Sequence, residues 1–329
     1  MRSKGMPVID VHAHVTPQRF QRAVREHGTW YGMTSADGEL ENPKNLWTPE
    51  ERIADMDALG VDVQAVSPTD CFYQYDRDVE TTAAIARAVN DEIAEMTRDW
   101  PDRFVGMGTV PMQDVGAAVV ELERIVAEHG FMGVMIDDHV LGRTYDEPEF
   151  LSFWEAVEGL EAVTLFHQLG PTVVQHRTNR YMLPNTIGNL TDRTITFGML
   201  VFGGVVDRFP DLKLCLGHGG GYTAFGIARM DKGWEAAAID YMSKGAREHI
   251  DRPPSEYLGR FYYDCCTHSE ATLRFLIDTV GIDRVVFGTD YPAPMVIEDS
   301  VNWVRGLGSL TDDEKEAILS RNPARMLGM

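Results

Sequence analysis

Short apolar runs recur along the whole chain, separated by stretches whose apolar positions return every three or four residues. Eight runs read as strands: residues 8–14, 61–69, 104–111, 131–137, 162–168, 212–219, 261–266 and 285–292. Several are continuous in Val, Ile, Leu and Phe instead of alternating with polar residues, which is the pattern of parallel strands covered on both faces. The segments between them read as helices. Thr48 can cap one, with Pro49 in its first turn and Glu51 as the capping-box acid; Ile53, Met56 and Leu59 share a face, and Gly60 ends it. Residues 81–98 and 115–129 predict two more, the latter stopped by Gly130. Strand–helix alternation repeated eight times predicts an α/β protein, a distorted (β/α)8 TIM barrel in one domain over residues 1–329. An open doubly wound sheet is the competing arrangement, but no GxGxxG follows the first strand. Two connections are long. Residues 15–47 predict a small insertion or lid, and residues 169–197 a second long loop, both at the C-terminal barrel face.

Polar residues at the ends of these runs supply the candidate chemistry. In Asp10-Val11-His12-Ala13-His14 the two histidines stand at i and i+2, so on a strand they point the same way. His167 closes the fifth run, His218 the sixth and Asp290 the eighth. Such groups are costly to bury without partners, and barrel strand ends converge, so the set predicts a shared divalent cation. Partnered core histidines with no ion are the alternative. His139 follows the fourth run and reads as a surface or supporting residue. Trp30, Trp47, Phe72, Tyr73 and Tyr291 could wall a planar substrate or simply pack the core.

Composition narrows the partners. A formal net charge of −21 argues against nucleic acid and anionic membrane surfaces. No apolar run approaches the roughly 18 residues of a membrane helix, and the first residues lack the apolar core of a secretion signal, so a cytoplasmic protein is expected. The four cysteines lack CxxC spacing and predict reduced, partly buried thiols.

The segments VIDVHAHVTP, TPEERIADMDALGVDVQAVS, RFVGMGTVPMQD, HGFMGVMIDDHV, FGGVVDRFPDLKLCLGHGGG and VVFGTDYPAP, in this order, span nearly the whole chain. Together they resemble the amidohydrolase superfamily, in the branch typified by aminocarboxymuconate semialdehyde decarboxylase. The resemblance implies one divalent ion, zinc first and manganese second, held by His12, His14, His167 and Asp290, with no organic cofactor. No lysine ends the fourth run, where IDDHV stands, which favours one ion over two. It implies that His218 is the general base, Asp290 a second proton carrier, and Arg229 a carboxylate-binding residue that reaches a neighbouring site in a homodimer. The chain departs from the branch where Asn42 to Trp47 contain no arginine, leaving Lys44 and Trp47 as candidate substrate contacts; Arg180, with Arg177 and Tyr181, is another. The implied activity is non-oxidative decarboxylation of a small unsaturated or aromatic carboxylic acid. Hydrolysis or hydration of a small cyclic or unsaturated acid is the alternative with the same residues.

Overall fold

A computed structural model describes residues 6–237 and 245–329. Eight parallel strands follow one another around a single sheet: β1 Ile9–Val15, β2 Val63–Pro68, β3 Phe104–Gly108, β4 Gly133–Ile136, β5 Val163–Phe166, β6 Lys213–Leu216, β7 Phe261–Asp264 and β8 Val285–Val286. The last strand meets the first, because the Val11 N–H donates to the Phe287 carbonyl at 2.9 Å and the Asp290 N–H to the His12 carbonyl at 2.8 Å. The predicted barrel is therefore the observed one. Helices α1 Gln18–His27, α2 Pro49–Leu59, α3 Val79–Asp99, α4 Val115–His129 and α5 Leu151–Gly159 cover its first half. The second half carries α6 Gln175–Thr178, α7 Leu190–Phe202, α8 Val205–Arg208, α9 Thr223–Ala236 and α10 Glu270–Val280, then α11 Ser300–Gly306, α12 Asp312–Glu316 and α13 Asn322–Leu327.

Local chemistry sets these boundaries as the sequence anticipates. The Thr48–Glu51 capping box starts α2 and Gly60, at φ 81°, ends it. The α4 helix stops at Gly130 with φ 66°. The eighth strand is shorter than its apolar pattern predicts. Pairing with β7 stops after Val286, and Asp290 at φ 63° turns the chain out of the extended region. The insertion after β1 is partly helical. Its Phe20 is fully buried and meets the Phe72 ring edge-on at 5.2 Å, which fixes α1 to the turn after β2.

Buried polar groups tie the first, second and last strands together beneath the barrel mouth. Arg52 of α2 donates from Nε to Gln64 Oε1 at 2.8 Å and from Nη1 to the His14 carbonyl at 2.6 Å. Gln64 Nε2 and Thr289 Oγ1 both donate to Asp10 Oδ2, at 3.1 and 2.7 Å. Burial pushes the Asp10 carboxyl up to about 6 against the pull of these hydrogen bonds. The four cysteines are free and buried, as expected. No described helix is long and apolar enough to cross a membrane.

The β4–β5 pair leaves no room at Gly133, where an added Cβ would fall on the Val163 backbone. Backbone atoms inside a ladder cannot swing aside. Gly133→Ala is therefore expected to destabilise the barrel by about 3 kcal/mol, at the upper end of overpacking costs. A lower urea midpoint at unchanged slope is the signature to look for.

Candidate metal centre and active site

Five polar side chains from four strand ends meet at the barrel mouth. Asp290 lies at their centre: its Oδ1 is 3.0 Å from His14 Nε2 and 3.4 Å from both His12 Nε2 and His167 Nε2. Its Oδ2 is 3.4 Å from His218 Nε2. Donor atoms of His12, His167, His218 and Asp290 all lie within 4.8 Å of one another. Ring centroids of His12, His14 and His167 are 4.5 to 5.0 Å apart. The structure thus brings together every residue that the strand-end pattern singled out.

A divalent cation fits these residues. His12 Nε2 and both ring nitrogens of His167 are buried without a hydrogen-bond partner, an expensive state that an ion would relieve. Ligands at about 2.0–2.1 Å from a tetrahedral ion stand roughly 3.3 Å from one another, close to the separations around Asp290 Oδ1. Electrostatics agree with this. Burial, the largest influence, holds His12 below the usual imidazole range although Asp264 opposes it. Burial and then the charge of His14 hold His167 well below that range. Both are thereby kept as neutral lone-pair donors. Burial would raise the Asp290 carboxyl, but the imidazoles of His14, His167 and His218 facing it outweigh burial and keep the group well below the usual carboxylate range. For His218, burial pulls down and Asp290 outweighs it, leaving His218 the more basic imidazole.

The backbone is strained at two residues of this cluster. His218 has φ 55° and Asp290 φ 63°, conformations that cost on the order of 1–3 kcal/mol each in residues with a Cβ. The turn after His218 is possible because glycines follow it. At Gly221, φ is 63° and a side chain would run into the Leu190 carbonyl.

Asp264, the last residue of β7, is a site residue that the strand-end histidines do not announce. It is fully buried, and its Oδ2 lies 2.6 Å from His12 Nδ1. A carboxylate behind a metal-binding imidazole orients the ring and makes it a better donor. Ser67 Oγ, 3.1 Å from His14 Nδ1, holds the second ring. Burial alone would raise the Asp264 carboxyl, yet its hydrogen bond to His12 and the nearby imidazoles keep it below the usual carboxylate range.

A cleft of about 780 Å³ opens from His218 and Asp290. Its walls include Leu190, Phe225, Phe275 and Met295, with Thr186, Tyr222 and Thr267 among the polar positions, and no lysine or arginine among the described lining residues. His268 lines it too, its Nε2 bonded to the Met295 carbonyl at 2.8 Å. A separate hollow of about 900 Å³, lined by Tyr73, Tyr75, Asp137 and His139 among others, touches none of the metal-donor residues.

The remaining sequence candidates lie elsewhere. Lys44 Nζ pairs with Asp55 Oδ2 at 2.8 Å and lies over the Trp47 and Tyr291 rings, so its charge is already answered. Lys44 and Trp47 line a cleft that holds none of the donor residues. Arg180 is exposed and lies over the Tyr181 ring. Arg229 is exposed on α9, one turn after Phe225, which is 83% exposed.

A parallel barrel with imidazoles and a carboxylate converging at the C-terminal ends of its strands defines a class, the barrel enzymes that act through a bound divalent ion. The chain belongs to the amidohydrolase family, whose sequence profile matches residues 9–329. It is 29% identical over 339 residues to 2-amino-3-carboxymuconate-6-semialdehyde decarboxylase of Dictyostelium discoideum, across 98% of this chain and 91% of that protein. A solved 5-carboxyvanillate decarboxylase from Sphingomonas paucimobilis superposes with a TM-score of 0.85 at 28% identity, over 99% of this chain and all of the other (100%). A dihydroxybenzoic acid decarboxylase from Polaromonas, solved with manganese and 2-nitroresorcinol, shares the fold at a TM-score of 0.83 and 24% identity, over 98% and 97% of the two chains.

Proposed function

We propose that this protein is a non-oxidative decarboxylase of a small aromatic or unsaturated carboxylic acid and works with a single divalent ion. The observation that carries the reading is the meeting of the Asp290-centred donor cluster with an apolar cleft at His218. Decarboxylase relatives support it. His12, His14, His167 and Asp290 would hold the ion; three nitrogens and one oxygen suit zinc, with manganese the alternative. When bound, the ion supplies positive charge that attracts the acid and stabilises the electron density that builds up as CO2 leaves.

The protein's own groups do the rest. The apolar walls hold a flat substrate and exclude water. His218 acts as general base through Nε2, which lies 3.4 Å from Asp290 Oδ2, and Asp290 is the second proton carrier. His218, as base, takes up a proton from solvent, and handed on through Asp290 that proton reaches the substrate carbon, so the ionised acid plus one proton give the shortened product plus CO2. That carbon keeps the electron pair of its broken bond to the carboxyl group, and CO2 departs. The cleft's described walls offer no lysine or arginine, so in this reading a guanidinium for the substrate carboxylate is supplied from outside. Arg229, exposed beside the exposed Phe225, would reach the cleft of a second copy and grip a substrate carboxylate with two N–H groups. The working unit is then a homodimer. Lys44 and Trp47 have no part in this reading. Four buried free thiols suit a cytoplasmic setting.

The test is product analysis after incubation with phenolic, pyridine and muconic acids. Loss of CO2 is expected. Gain of water would instead mark a hydratase or hydrolase, and no turnover across the panel would overturn the proposal. For the shared site, Arg229→Met should raise KM by roughly 10- to 100-fold, the worth of a charge-assisted hydrogen bond. Mixing it with an inactive His218 variant should regenerate activity in hybrid dimers; mixtures no more active than their parts would count against Arg229 acting across the interface.

A further inference from the structure

We propose that Asp264 is a positioning residue that fixes the tautomer of His12 and, with the same carboxylate, the turn that presents His218. Its two oxygens each take two partners. Oδ2 meets His12 Nδ1 at 2.6 Å and accepts the His218 N–H at 2.8 Å. Oδ1 accepts the Gly219 N–H at 2.8 Å and the Cys266 N–H at 3.0 Å. Three of these partners are backbone amides, which only donate, so both oxygens act as acceptors. His12 Nε2 meets no acceptor in hydrogen-bond geometry, so the N–H of the ring belongs on Nδ1, where Asp264 Oδ2 receives it. A neutral imidazole has a single N–H, so Nε2 is left as a bare lone pair. That atom is the buried, unpartnered nitrogen 3.4 Å from Asp290 Oδ1. The tautomer that can bind an ion is set on the far side of the ring.

The second task follows from the same contacts. His218 occupies a left-handed backbone position, and its own N–H and that of Gly219 are each held by one oxygen of Asp264. A metal donor on β1 and the base after β6 thus share one anchor on β7. Close packing preserves the arrangement. At Gly288 an added Cβ would stand 2.8 Å from the His12 Cβ and 2.9 Å from the Asp264 Cβ. Asparagine cannot replace the anchor, although it has the same shape. Whichever way its amide turns, an NH2 group faces two donors.

The inference rests, for His12, on the reading that this site takes a divalent ion. Its first test needs neither variant nor ion: nitrogen NMR of the metal-free wild-type protein should show His12 protonated at Nδ1 and bare at Nε2. Protonation at Nε2 would overturn the tautomer assignment. The second test compares Zn2+ and Mn2+ affinity, by chelator competition, in wild type and Asp264→Asn. The variant should bind roughly 10- to 100-fold more weakly and, once saturated with ion, turn over slower by a similar factor. Unchanged affinity would refute the metal-side role, and unchanged kcat at saturation would refute the role at the His218 turn. Wild-type protein that binds neither ion would overturn the metal reading itself, while the NMR result would still decide the tautomer.

Discussion

His218→Asn is expected to lower turnover by roughly 10²- to 10⁴-fold, the usual contribution of a positioned acid–base group, while the ion stays bound. The substitution isolates the proton transfer. Asparagine is similar in size and tolerates a left-handed backbone better than most residues, so the turn at φ 55° survives. Its amide cannot take up a proton near neutral pH. His12, His14, His167 and Asp290 are untouched, so elemental analysis should find the same metal content in variant and wild type. Steady-state rates on the acid that proves to be a substrate give the comparison. A variant within a few fold of wild type would remove His218 from the chemistry. A variant stripped of metal would recast it as a ligand, which its inclusion in the 4.8 Å donor group makes a sharp alternative.

Removal of the ion is expected to abolish CO2 release and to lower the thermal midpoint together. Binding to the native state alone stabilises it by about 2.7 kcal/mol at a free concentration one hundred times Kd. Without the ion, the unpartnered nitrogens of His12 and His167 stay buried, which the unfolded chain avoids. Dialysis against a strong chelator, followed by return of Zn2+ or Mn2+, should switch both signals off and on; activity that persists in fully metal-free protein would defeat the proposal. The sign of the pH dependence follows from the histidines. His12 and His167 are held below the ordinary imidazole range, so at these two positions protons compete with the ion only at pH values below that range. Imidazole NMR of the metal-free protein, followed from pH 7 downward, should show His12 and His167 still neutral at the ordinary imidazole value; protonation of both there would contradict this assignment.

Much of this site is legible in the sequence because strand periodicity and barrel geometry leave few options. Histidines at i and i+2 must share a face, and polar residues ending apolar runs must find partners where strand ends converge. His12, His14, His167, His218 and Asp290 could therefore be named before any fold was in hand. Asp264 could not, because an acid ending the FYYD run has no spacing that links it to a histidine 252 positions away. The available signal was its place: it ends a buried strand at the same level as the other donors. The length of β8 was misread for a related reason. Apolar patterning continues past Val286, whereas the left-handed turn at Asp290 is a property of backbone angles that composition does not announce. Lys44 shows a third limit. Patterning tells which side of a helix is wet but not which charges meet, and only the fold reveals that Asp55 neutralises it.

The seam between β1 and β8 bears on how the protein is made. His12 and Asp290 lie on opposite sides of that junction, and the backbone bond between them joins residues 278 positions apart in the chain. On a ribosome the opening strand emerges long before its closing neighbour, so its free edge waits through nearly the whole of synthesis. Under the proposed ligand set, an ion shared by His12 and Asp290 would bind only after this seam has closed, and it would then clasp the two edge strands and slow any opening that begins there.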